Sequence, residues 1–143
     1  MSEAAAAEAL FRRFLGAIEA ADLASLTQCL TADATMFLPA SGGRDAVRGR
    51  AAIEARFRRM FAARGEGGRE PLVLAVENFH HALLGTDHAL ADAIIRIGDD
   101  QGRRSIVFRR ESDGWRILHV HASTAVAIPA AAAPPTQLPR SLG

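Results

Sequence analysis

The sequence predicts one α+β domain, with helices in its first half and an antiparallel sheet in its second. Three observations predict it. Apolar residues recur at helical spacing as far as Phe61, strand-like runs separated by hairpin signals begin at Leu72, and 143 residues make one domain's length.

Leu10, Phe14 and Ile18 fall at i, i+4 and i+8, with Phe11 and Leu15 beside them, so a helix is expected from about Ala4 to Ala21. Asp22 suits the N-cap of a short second helix carrying Leu23, Leu26 and Leu30. Ala34 to Pro39 reads as a short strand closed by Pro39 and a Gly42–Gly43 turn. A third helix follows Gly49, where Ile53, Phe57, Met60 and Phe61 share one face, and Arg64 to Glu70 reads as a loop. Four strands follow: Leu72–Leu84 with a bulge near Asn78 to His81, His88–Ile97, Arg103–Glu111, and Trp115–Ser123. Asp113-Gly114 is a two-residue hairpin signal between the last two.

Composition excludes several functions. The formal net charge is +1, so the chain lacks the basic field that nucleic-acid or anionic-membrane binding uses. Every basic residue is arginine. No run nears the roughly 20 apolar residues of a membrane span. The start, with Glu3 and Glu8 and no early basic residue, does not read as a secretory signal. Cys29 is the one cysteine, which suits a reducing compartment, and a cytoplasmic location is expected. Cys29 itself reads as a small apolar filler. Residues 1–124 read as the domain and 125–143 as an alanine- and proline-rich flexible tail.

With Asp113-Gly114 as the loop, Ser112 pairs with Trp115, Glu111 with Arg116, Phe108 with His119, and Ile106 with His121. One face of the last strand then holds Trp115, Ile117, His119, His121 and Ser123. The other holds Arg116, Leu118, Val120 and Ala122. Apolar residues on both faces predict cover on both. Helices cover one, and a second subunit is the natural cover for the other, so a homodimer through the sheet is expected.

Three segments carry a family resemblance: AADLASLTQCLTADATMF (20–37), RGRAAIEARF (48–57) and SDGWRILHVHAS (112–123). In that order they resemble SnoaL-like proteins of the nuclear transport factor 2-like superfamily, and the related calcium/calmodulin-dependent kinase association domains. The resemblance runs from about Glu8 to Thr124. It implies a cone-shaped α+β barrel, with N-terminal helices packed on a curved antiparallel sheet around one pocket. It leaves the function open, because relatives include isomerases, cyclases, dehydratases, hydrolases and non-catalytic assembly modules. Ketosteroid isomerase chemistry, with its aspartate base and tyrosine-containing oxyanion hole, is disfavoured. This chain has no tyrosine, and the resemblance puts Leu38 where the base would stand.

Candidate site residues follow from type and register. His119 and His121 are two apart on a strand and project to one side. Extending the register across Gly98 to Gly102 sets Asp92 opposite Phe108, in one row with His119, roughly 9–10 Å away across two strand spacings. These placements suggest Asp92 and His119 as a general acid–base pair and His121 as an orienting group; the competing reading is a structural histidine pair. Phe37, Phe57, Phe61, Phe108 and Trp115 are candidate cavity-lining residues, or core. His119-x-His121 has metal-ligand spacing, but a third ligand would have to come from His80, His81, His88 or Asp92, and neither a metal nor a cofactor is expected. Arg104, Arg109 and Arg110 could meet an anion; this register places Arg104 and Arg110 on the histidine face, near the rim. The expected partner is a small, largely apolar molecule in the cone. It is either turned over by a cofactor-independent isomerase, cyclase or lyase, or bound unchanged by a ligand-binding or dimeric assembly module.

Overall fold

A computed structural model describes residues 2–39, 45–67 and 71–125. Helix α1 (Glu3–Ala20) starts where the Ser2 hydroxyl accepts the Ala5 N–H, and ends at Ala21 in the left-handed region. It buries Leu10, Phe11, Phe14 and Leu15, the stripe that the periodicity predicts. Asp22 caps helix α2 (Leu23–Gln28), its carboxylate accepting from the Ser25 N–H at 3.1 Å. Strand β1 (Leu30–Phe37) begins four residues before the expected strand, and β2 (Val47–Arg48) pairs with it. Helix α3 (Arg50–Gly67) then runs into the segment expected to be a loop. Arg64 supplies a reason: its guanidinium donates to the carbonyls of Ile18 and Glu19 at 2.8 and 3.2 Å, tying this end of α3 to the end of α1.

Strands β3 (Ala75–Leu84), β4 (His88–Ile97), β5 (Asp100–Glu111) and β6 (Gly114–Ala125) form the expected antiparallel meander. The six strands make one sheet in the order β2-β1-β6-β5-β4-β3. It is mixed, because β1 runs parallel to β6. The expected bulge in β3 lies between Glu77 and His80, with Asn78 at a φ of 52°. The expected turn at residues 42–43 and the tail at 126–143 lie outside the described residues.

The helices cover one face of the sheet. On it, Ala89, Ala91, Ala93 and Ile95 of β4, Ile106 and Phe108 of β5, and Trp115, Ile117, Val120 and Ala122 of β6 are all buried. Phe11 of α1 meets Phe79 of β3, and Phe57 of α3 sits between Phe14 and Phe61. Among the described residues, no helix covers the other face, the open face.

Two register findings reassign side chains between these faces. The β5–β6 loop is Ser112-Asp113, not Asp113-Gly114, since Glu111 pairs with Gly114 and Arg110 with Trp115. Gly114, at a φ of 130°, thus provides its conformational freedom at the first residue of β6 rather than inside the loop. Arg116 pairs with Asp113 at 2.6 Å instead of facing Glu111. Farther along, Phe108 pairs with Ile117 but Val107 pairs with His119, so Leu118 is an extra residue in β6. Trp115 and Ile117 therefore face the helices, while His119 and His121 face the open side. The expected sharing of one face by all four does not hold.

Candidate functional site

An apolar cavity of about 110 Å³ lies between the helices and the covered face. Phe14, Leu15 and Ile18 reach it from α1, Phe57 and Met60 from α3, Met36 from β1 and Leu38 from just beyond it, and Val120 and Ala122 from β6. Leu38, the residue that the isomerase resemblance sets in the place of a base, is part of this lining. Among the described lining residues one is charged: Arg104.

Arg104 reaches the cavity because of its place in β5. It is in phase with Ile106 and Phe108, which are buried against the helices. Its neighbours across the sheet are Ala93 and Ala122, and two residues back stands Gly102. Three residues with no side chain beyond Cβ thus leave room for one long one. Nη1 donates to the carbonyls of Arg103 and Ser123 at 2.9 and 3.3 Å. Nε and Nη2 have no hydrogen-bond partner among the described residues. Burial draws the guanidinium's pKa down from its ordinary value, yet arginine stays protonated in proteins. It can therefore hold an anion or polarise a carbonyl, but it cannot take a proton. Among the described lining residues there is no carboxylate, imidazole or thiol.

The residues singled out from sequence divide between the two faces. Phe57 lines the cavity, and Phe61 packs on Phe57 under the Arg64 guanidinium. Phe108 is fully buried outside the lining. Trp115 is fixed at the sheet end, donating from Nε1 to Glu3 at 2.7 Å with the Arg110 guanidinium over its ring. His119, His121, Asp92 and Phe37 are on the open face. There Phe37, His121, Ser105, Asp92 and His80 form one row across five strands, so Asp92 faces Ser105 rather than Phe108. Thr35, His119, Val107 and Leu90 form the next row. His119 Nδ1 hydrogen-bonds the Thr35 hydroxyl at 2.6 Å, and Phe37 packs on both histidines. Burial, helped by the charges of His121 and Arg48, pushes the His119 pKa down against the opposing effect of Thr35. Among the described residues, no three His, Cys, Asp or Glu side chains gather as a metal-ligand set. Arg104 lies opposite the histidines, not beside them as the loop-based register implied. The signal for it was present: its phase with Ile106 and Phe108, and the alanines and glycine around it.

A helix-covered six-stranded sheet enclosing an apolar cavity with one internal guanidinium defines a small-domain pocket fold. A family model for the SnoaL-like domain matches residues 7–128, and the chain belongs to that family. Solved structures agree on the fold. A nuclear transport factor 2-like protein of unknown function from Pseudomonas putida is 22% identical, with a TM-score of 0.73, over 90% of this chain and 92% of its own. A protein from Streptomyces avermitilis, provisionally described as a dehydratase of the same family, is 18% identical with a TM-score of 0.72, over 87% and 97%. A structure from Thiobacillus denitrificans, provisionally described as a calcium/calmodulin-dependent protein kinase type II association domain, is 30% identical with a TM-score of 0.64, over 83% and 94%. No protein of curated function matches the chain.

Proposed function

We propose that this chain is a ligand-binding module whose cavity takes a small, largely apolar molecule with one anionic group seated on Arg104. The observation that carries this reading is a single guanidinium, with Nε and Nη2 unbonded among the described residues, in an otherwise apolar cavity. Arg104 is partly buried, and a guanidinium withdrawn from water without an opposite charge is disfavoured, so an anionic ligand offsets part of that cost. At about 110 Å³ the cavity is smaller than the roughly 150 Å³ that holds a benzene ring, so a single-ring ligand is the largest it takes, and only with the flexible, surface-exposed Met60 displaced. Binding of benzoate, with benzylamine and toluene as matched cationic and neutral controls, tests it by calorimetry. Benzoate alone should bind, and Arg104→Gln should abolish its binding. Equal binding of all three compounds, or benzoate binding unchanged in Arg104→Gln, would sink the reading. Acid–base chemistry by His119 and Asp92 would take place on the open face instead; turnover of a substrate, lost in His119→Ala, would argue for that.

A second reading concerns assembly. The open face carries Phe37 and Leu90, 36% and 40% exposed, beside the half-buried Val107 and His119. A second copy of the chain is the proposed cover, in keeping with the association-domain description of the Thiobacillus denitrificans structure. Sedimentation should give a dimer, and Leu90→Arg should give a folded monomer. A monomeric wild-type chain at high micromolar concentration would exclude it.

A further inference from the structure

The arginines of α3 fall into two groups. Arg58 pairs with Glu54 at 2.8 Å, Arg64 holds the end of α1, and Arg50 donates to the Leu30 carbonyl at 3.3 Å. Arg56 and Arg59 have no hydrogen bond or ion pair among the described residues. They stand three apart and so share a side of the helix. Ala52 and Ala55 are on that side too, and across from it is β2, whose Arg48 likewise has no partner among the described residues. Together with Asp45, Ala46 and Val47 these residues line a groove of about 440 Å³, which shares no lining residue with the cavity of Arg104.

We propose that this groove binds a small organic phosphate carrying more than one negative charge. Arg56 and Arg59 of α3, with Arg48 at the β2 edge, outnumber the one carboxylate, Asp45, among the described lining residues. Guanidinium forks match phosphate oxygens two at a time. Like charges gathered on one groove repel, and a multivalent anion relieves that repulsion. Ala46, Val47, Ala52 and Ala55 supply an apolar wall for the organic part, and the volume falls within the range of small-molecule sites. A nucleic acid is the poorer fit, because the chain as a whole carries only +1.

The test is calorimetric titration with pyrophosphate in about 150 mM salt, where the Debye length is about 8 Å and weak surface attraction is screened. One saturable site is expected. Arg56→Gln and Arg59→Gln should each weaken it roughly tenfold, the loss of one charged hydrogen bond, and Arg104→Gln should leave it unchanged. Both groove variants change exposed or half-exposed side chains, and thermal melts check that they fold. Amide shifts of the wild-type chain give an independent measure and should concentrate at Ala52, Ala55 and Arg48. Three results would each overturn the proposal: no saturation at that salt, binding indifferent to Arg56 and Arg59, or binding lost in Arg104→Gln.

Discussion

Gly102 sets where the Arg104 guanidinium stands, and Gly102→Ala tests that. A Cβ built on Gly102 would lie 2.7 Å from Arg104 Nη1 and 3.2 Å from the Ser123 carbonyl oxygen. Ordinary contact begins near 3.5 Å, so the guanidinium must move by roughly 0.8 Å. Its 3.3 Å bond to Ser123 has no slack for such a shift. The strand backbone itself accepts alanine, since Gly102 does not adopt a positive φ. Alanine in a strand interior is favoured over glycine by roughly 0.5–1 kcal/mol. The Ser123 carbonyl, which must give by a few tenths of an ångström, opposes that gain, so stability should change little while affinity falls. One charge-assisted hydrogen bond is worth about 1.5–3 kcal/mol, which makes the expected loss in benzoate affinity at least roughly tenfold. Calorimetry with benzoate and thermal melts of the same preparations read the two effects separately. Unchanged affinity in Gly102→Ala, alongside lost affinity in Arg104→Gln, would refute the positioning argument and leave the cavity intact. Unchanged affinity in both would remove the cavity reading altogether.

Three further outcomes are expected. Phe108→Leu should lower stability by roughly 1–2 kcal/mol in denaturant melts, because it leaves a small void in the core, and leave benzoate affinity unaltered, because Phe108 does not line the cavity. His119 resists protonation in the folded chain, so the unfolded chain takes up that proton first as pH falls through about 6.5. Stability should therefore decline on acidification through that range, and His119→Gln, which retains a partner for Thr35, should flatten the decline. Asp33 accepts two hydrogen bonds from Arg109, at 2.9 and 3.0 Å, which bring its pKa from 3.8 to about 2. Its contribution is present above about pH 4 and lost as pH falls toward 2. The gap in melting temperature between wild type and Asp33→Asn should narrow over that interval; a gap undiminished at pH 2 would mean that Asp33 acts other than through its charge.

Much of the fold was legible in the sequence because it is written in local periodicity. The α1 stripe from Leu10 to Ile18, the Asp22 cap, the start of α3 after Gly49 and the bulge of β3 near Asn78 each depend on a few neighbouring residues. The family resemblance drew on the same signals. The site was less legible. A strand pattern assigns faces only while alternation is unbroken, and Leu118 breaks it without any mark in its own type. Across that bulge β6 pairs with β5 on one side and with β1 on the other, and these partners are far apart in the chain. The bulge turns His119 and His121 away from the cavity that Trp115 and Ile117 had seemed to assign them. Arg104, in phase with Ile106 and Phe108, is the one charge in the described lining. The sequence alone determined a helix-then-sheet domain of this family and the residue types available to it. Only the tertiary structure decided which of them share a face, because one inserted residue exchanges the two faces for every residue beyond it.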